Sequence, residues 1–198
     1  MLVLASASPR RQELLRNAGI SFVVQAADID ETPVAGEGAR DCAERLAREK
    51  ALAVWRTRPG DVVLGADTIV VVDERILGKP VDAEDAVRML RMLSGRMHCV
   101  ITGVCVVEAV SGFQFPVSNQ TEGPLTTGSE TTLVTMSKLS DVEIREYVAT
   151  GEPMDKAGAY AIQGRAARWI PRIEGDYSNV VGLPVALVYG MLRERGAV

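Results

Sequence analysis

Two arginines in the first turn of a helix are a poor choice for the helix alone, because the free N–H groups there already form the positive end of its dipole. The chain nevertheless reads Ser6-Ala7-Ser8-Pro9-Arg10-Arg11 directly after the apolar run Met1 to Ala5. Ser8 followed by Pro9 predicts an N-cap with proline at the first helical position. An anion reverses the conflict of sign: arginine forks bind phosphate oxygens in pairs, and a helix N-terminus adds backbone donors. Ser6, Ser8, Arg10 and Arg11 are therefore candidate phosphate ligands at the carboxyl end of a first strand. The alternative is a pair of solvated arginines opening a surface helix.

Asp67 interrupts the most apolar stretch of the chain, Val62 to Val72. A carboxylate there is costly to bury unless it is paired, protonated or bound to a metal, which makes it the leading candidate for a chemical role. Gly65 and Ala66 just before it allow a bulge or a close approach. Lys50 lies on the apolar stripe of a long helical pattern, four residues from Leu46 and Val54 and three from Ala47. It either snorkels along the stripe edge or turns inward toward a phosphate. For an inward lysine, replacement by methionine is expected to weaken catalysis while stability holds or improves. Lys79, after a hairpin return, is expected near the same sheet edge.

The loop Asp28-Ile29-Asp30-Glu31-Thr32-Pro33 is either a solvated turn or one wall of a cation site. The segment from Asp155 to Gly164 is dominated by small residues that admit close backbone approach, with Asp155, Lys156 and Gln163 as polar heads. His98 is the one histidine, which argues against histidine-centred triads and two-histidine metal sites, and a packed or surface role is expected for it. Cys42, Cys99 and Cys105 form no CxxC pair and leave one over, so neither a disulfide framework nor a zinc site is indicated.

The elements that position these residues follow from periodicity. A strand at Leu2 to Leu4 leads into a helix from Pro9 to about Ala18, ended by Gly19, and a second strand at Ser21 to Val24. An amphipathic helix runs from Ala39 to about Arg58, and the strand Val62 to Val72 turns at Asp73-Glu74-Arg75 toward Ile76 and Leu77. Asp82 to Leu93 is a further helix. Met97 to Val107 and Phe113 to Val117 read as a long hairpin, with Thr131 to Met136 as an edge strand and the polar segment Ser118 to Gly128 as a mobile loop. Ser140 opens a helix to Ala149, Arg168 to Ile173 is a last strand, Tyr177 to Gly182 a turn, and a final helix runs from Leu183-Pro184 to about Arg195.

With 198 residues, 47% hydrophobic, the chain suffices for one sizeable core, and a single domain over residues 1–198 is expected. A net charge of −4 disfavours a nucleic-acid coat. No leader pattern opens the chain and no apolar run approaches the ~20 residues of a membrane span, so a soluble cytoplasmic protein without membrane or nucleic-acid partners is expected.

Ser6-Ala7-Ser8-Pro9-Arg10-Arg11, Gly65-Ala66-Asp67-Thr68, Leu77-Gly78-Lys79-Pro80, Asp155-Lys156-Ala157-Gly158-Ala159-Tyr160 and Gly182-Leu183-Pro184 stand in the order and spacing of the Maf family, and the resemblance spans almost the whole chain. That family comprises nucleoside triphosphate pyrophosphatases. The resemblance implies an α/β fold like that of the inosine triphosphate pyrophosphatases: a twisted mixed central sheet flanked by helices, in two lobes with a cleft. It also implies a homodimer, a divalent cation (Mg²⁺ or Mn²⁺), and cleavage of a nucleoside triphosphate to its monophosphate and pyrophosphate. By the same resemblance Asp67 is the general base and shares the metal with Glu31, while Arg10, Arg11, Lys50 and Lys79 are phosphate-binding cations. Arg10, Thr68 and Gln163 at the selectivity positions resemble the dTTP/UTP branch; the branch acting on 7-methyl-GTP differs at the last two. The sequence departs from the family in the length of the loop Ser118 to Gly128, and in Val134-Thr135-Met136-Ser137, where Phe and Arg are usual. Two other classes stay open at this point: a non-catalytic nucleotide-binding regulator of cell division, which needs the cradle but not Asp67, and a nucleic-acid-binding protein.

Overall fold

The computed structural model describes residues 1–110 and 123–198. The expected strand Phe113 to Val117 and the first part of the polar loop lie outside the described residues. The described chain is of the α/β class, a mixed open sheet of seven strands flanked by helices.

In chain order the elements are β1 (Leu2–Leu4), α1 (Pro9–Asn17), β2 (Val23–Val24), α2 (Ala39–Trp55), β3 (Val62–Val72), β4 (Arg75–Leu77), α3 (Ala83–Leu93), β5 (Met97–Val107), β6 (Leu125–Thr135), α4 (Asp141–Ala149), β7 (Arg172–Glu174), α5 (Tyr177–Val181) and α6 (Val185–Arg193). Three short 3₁₀ turns, Glu152–Asp155, Ala157–Ala159 and Arg165–Trp169, lie between α4 and β7. The strand order is β2-β1-β3-β5-β6-β7, with β4 paired to β3. β1 is parallel to both β2 and β3, Val3 facing Val23 on one side and Val63 on the other. β4 returns antiparallel to β3 through Asp73 and Glu74, both at positive φ (47° and 61°), the backbone of a tight primed turn.

Contacts divide the chain into two compact units. The first comprises residues 1–67, 102–130 and 182–198 and holds a separate core on each face of its strands. Alternation along the strands decides which residue joins which core. Leu2, Leu4, Leu64, Ala66, Val104 and Val106 pack with Leu15 of α1 and with Val188 and Leu192 of α6. Val3, Ala5, Val63, Cys105 and Val107 pack with Ala47, Ala51 and Trp55 of α2. The second unit comprises residues 68–101 and 131–181; its core gathers Val70, Leu90, Leu93, Val134, Ile144, Tyr147 and Trp169 around the packed helices α3 and α4.

Several expectations are corrected. β6 begins at Leu125, so the end of the expected polar loop is strand, and it lies between β5 and β7 instead of at an edge. After Leu125, residues 126 to 131 carry no apolar side chain and are only half-buried, which hides the strand from a reading based on apolar alternation. The expected strand Arg168 to Ile173 is a 3₁₀ turn followed by β7, because Ala166 and Trp169 are buried at a spacing of three. Tyr177 to Val181 is helical: Asp176 Oδ1 accepts from the Ser178 N–H at 2.6 Å, and Asn179 points inward, donating to the Val100 carbonyl and to Thr132 Oγ1. α2 stops at Trp55, three residues before the expected end, where Thr57 Oγ1 donates to the Val54 carbonyl. The helix expected from Ser140 is α4, and Ser140 and Glu143 form a capping box at its start.

Candidate active site

The helix start read from Ser8-Pro9 is present. Ser8 is the N-cap of α1, its hydroxyl accepting from the Arg11 N–H at 3.4 Å, with Pro9 at the first turn. The Ser8 N–H in turn donates to Ser6 Oγ at 3.2 Å. The two arginines have different surroundings. Arg10 is half-buried, whereas Arg11 is 9% exposed and folds back over the loop, donating from Nε to the Gly182 carbonyl at 2.7 Å and from Nη1 to Ser6 Oγ at 3.1 Å. Gly182 sits at φ 131°, a backbone conformation that L side chains rarely adopt, so the Gly182-Leu183-Pro184 motif has a stated task in this fold: it presents a carbonyl to Arg11. Burial pulls the Arg11 guanidinium below its ordinary value, and Arg10 adds to that, while the charges of Asp67 and Glu31 oppose it. A guanidinium so placed stays charged.

Asp67 and Lys50 meet because α2 lies directly on β3. Val63, Gly65 and Asp67 share one face of the strand, and a Cβ on Gly65 would stand 2.2 Å from the Ala47 carbonyl oxygen and 2.8 Å from the Ala51 nitrogen. Gly103 on β5 makes the same allowance under Ala43, where a Cβ would stand 2.3 Å from the carbonyl oxygen. With helix backbone seated on strand backbone, Lys50 on the next turn reaches Asp67. Lys50 Nζ lies 2.6 Å from Asp67 Oδ1 and 2.6 Å from Glu31 Oε1. Lys50 and Asp67 are buried (6% and 8% exposed), while the Glu31 side chain is 43% exposed. Lys50 thus points inward, and the charge expected to meet phosphate is directed at two carboxylates. That arrangement corrects the stability expectation for methionine at position 50, because removing the ammonium leaves a buried aspartate without its partner.

The first unit therefore brings together Ser6, Ser8, Arg10, Arg11, Glu31, Lys50 and Asp67. Thr68, Lys79 and Gln163 belong to the second unit. Lys79 and Gln163 are exposed and Thr68 is half-buried. Within that unit the Lys79 segment is tied to the small-residue segment, since the Gly158 N–H donates to the Gly78 carbonyl at 3.1 Å. Gly158, at φ 68°, is pressed against Val70, whose side chain would lie 3.0 Å from an added Cβ; close approach is what the small residues permit.

Sequence reasoning did not find the fastening of the acidic loop. Arg45 grips Glu37 with Nε to Oε1 at 2.7 Å and Nη2 to Oε2 at 2.8 Å, and reaches Glu49 at 3.2 Å. This pairing holds the Glu37 carboxyl down to about 2 and raises the guanidinium. Nothing in the separate positions 37 and 45 marks them as partners. His98 has the packed role expected of it: it is 2% exposed, its Nε2 lies 2.8 Å from Tyr160 Oη, and burial pushes its pKa down to about 4. Among the described residues no group of three or more His, Cys, Asp or Glu side chains is placed to hold a metal ion, and no helix is long and apolar enough to cross a membrane.

Comparison with known proteins gives a consistent result. The family model described as Maf-like protein matches residues 1–195. The dTTP/UTP pyrophosphatase of Koribacter versatilis (strain Ellin345) is 53% identical over 199 residues, covering 98% of this chain and 94% of the relative. The dTTP/UTP pyrophosphatase of Geobacter sulfurreducens is 53% identical over 196 residues, covering 99% and 97%. That of Symbiobacterium thermophilum is 52% identical over 195 residues, covering 98% and 94%.

Proposed function

Since the chain belongs to the Maf family, we propose that it is a nucleoside triphosphate pyrophosphatase that hydrolyses dTTP and UTP to the nucleoside monophosphate and pyrophosphate. The names of relatives about half identical over nearly the full length support the substrate class. The observation that carries the chemistry is the buried Asp67 held by Lys50 in the same unit as the Ser6-to-Arg11 cradle.

In this reading the triphosphate lies against the start of α1, where Arg10, the Ser6 and Ser8 hydroxyls and the helix N-terminus offset its charge. Arg11 is anchored by Gly182 and Ser6, so its guanidinium needs little reorganisation when an anion arrives. Asp67 accepts a proton from a water whose oxygen attacks the α-phosphorus. The bond from that phosphorus to the α–β bridging oxygen breaks, and its electron pair leaves with pyrophosphate. The proton on Asp67 then passes to solvent. Lys50 holds the Asp67 carboxylate in place beforehand, and Lys79 adds positive charge for the leaving group.

Glu31 and Asp67 supply hard carboxylate oxygens, and two carboxylates completed by substrate phosphates are the usual donor set of Mg²⁺ or Mn²⁺. When bound there, such a cation neutralises phosphate charge. Arg10, Thr68 and Gln163 are assigned to base selection: the Gln163 amide can accept from N3–H and donate to O4 of uracil or thymine. A homodimer in the cytoplasm completes the reading, on the family resemblance; light scattering of the purified chain tests the dimer.

A panel of common and 7-methylated triphosphates with Mg²⁺ or Mn²⁺ tests the function. UTP and dTTP are expected to exceed ATP and GTP in kcat/KM by roughly ten- to a hundredfold, the scale of one matched pair of buried hydrogen bonds. Preference for purines or 7-methyl-GTP overturns the branch, and release of orthophosphate instead of pyrophosphate overturns the reaction.

A further inference from the structure

Glu31 stands on a loop whose side chains are largely exposed, yet its carboxylate must be at a fixed place to meet Lys50. Exposed loops with few apolar contacts are usually the least ordered part of a fold. Here the chain that follows Glu31 is fastened at two points by one side chain. Arg45 Nη2 donates to the carbonyl of Thr32, the residue after Glu31, at 3.3 Å. The same guanidinium holds the Glu37 carboxylate in a two-bond fork, and Glu37 Oε2 accepts from the Val34 N–H at 3.3 Å. The Glu37 N–H closes the turn onto the Val34 carbonyl at 3.1 Å. Glu49, one turn along α2, takes Nη1 at 3.2 Å and so sets the side chain's direction. Lys50, five residues beyond Arg45 on the same helix, then receives Glu31.

We propose that Arg45 is a positioning residue for the reaction: by clamping Thr32 and Glu37 to α2 it presents the Glu31 carboxylate to Lys50 and Asp67, and it does so without touching substrate. The planar fork matters, because a lysine offers one point of charge where three acceptors must be held at once. The Glu37 carboxyl, held down to about 2, stays ionised throughout the neutral and mildly acid range, so the clamp persists there. This inference rests on the role of Glu31 given above, and deepens it.

The experiment is a double-mutant cycle read by kcat/KM for dTTP, with thermal unfolding of each variant to confirm folding. Arg45→Met and Glu37→Gln are each expected to lower kcat/KM by about tenfold or more, the usual effect of losing a partner that orients a functional carboxylate. Arg45→Lys is expected to recover only part of that loss. In a Glu31→Gln background, Arg45→Met is expected to change kcat/KM by less than about twofold, because its effect passes through Glu31. A full second loss in that background shows a general structural role and overturns the inference, as does wild-type turnover in Arg45→Met. Wild-type turnover in Glu31→Gln itself overturns the role of Glu31, and the inference with it, so the two failures are distinguishable.

Discussion

Lys50 Nζ and Asp67 Oδ1 lie 2.6 Å apart, both side chains buried, on a helix and a strand whose backbones touch at Gly65. The pair fixes the geometry of the site: an aspartate paired within an apolar run, and a lysine whose second contact, Glu31, draws the acidic loop toward it. A buried pair of this kind is weak evidence for stability but strong evidence that its members depend on one another.

That dependence predicts the outcome of removing the lysine. Lys50→Met is expected to lower stability by about 3 to 5 kcal/mol at neutral pH, because Asp67 is left buried without its partner. Adding Asp67→Asn to the same chain is expected to recover part of the loss. Denaturant unfolding of the two variants checks it; a stable Lys50→Met protein would show that Asp67 finds its compensation elsewhere.

The seat of α2 on β3 predicts a steric effect with no change of charge. Gly65→Ala puts a methyl group 2.2 Å from the Ala47 carbonyl oxygen, so helix and strand have to separate. A stability loss of at least about 2 kcal/mol is expected, with kcat falling because Lys50 is withdrawn from Asp67. Gly60→Ala, with no atom within 4 Å of the added carbon, is the control.

His98 predicts an acid sensitivity unrelated to catalysis. Its folded-state pKa, about 4, lies below the ordinary 6.5, so between those values the unfolded chain binds a proton that the folded chain does not. Stability therefore rises with pH across this window, and about 3 kcal/mol is lost as pH falls from 6.5 to 4. His98→Gln is expected to remove that part of the slope. An unchanged pH dependence of unfolding in the variant would assign the slope to other groups.

Much of this was legible in the residues, for physical reasons that differ from place to place. Ser8-Pro9 marks a helix start because the cap and the proline act locally, and the structure has the cap where the sequence puts it. Asp67 stands out because burial of a carboxylate is costly wherever the strand lies. Lys50 was placed on the inward stripe by helical period, but its partners come from β3 and the acidic loop, and periodicity carries no information about another element. The same limit hid Arg45 and Glu37, whose pairing is set by the path of the loop. β6 escaped because its polar residues at 126 to 131 match a loop in composition, and pairing with neighbours overrides that preference. The helix α5 escaped because it is five residues long and is held by a buried Asn179, not by an apolar stripe.

Asp67→Asn keeps the size of the side chain and removes the proton acceptor. With Lys50 still able to contact Glu31, the variant is expected to fold and to lose about 10² or more in kcat. Turnover at the wild-type rate would return Asp67 to a purely structural role.

The central claim, attack of water on the α-phosphorus with pyrophosphate as leaving group, is tested most directly by hydrolysing dTTP in heavy-oxygen water and weighing the products by mass spectrometry. The account predicts one heavy oxygen in the nucleoside monophosphate and none in the pyrophosphate. Heavy oxygen in the pyrophosphate, or release of labelled orthophosphate with a nucleoside diphosphate, would contradict it.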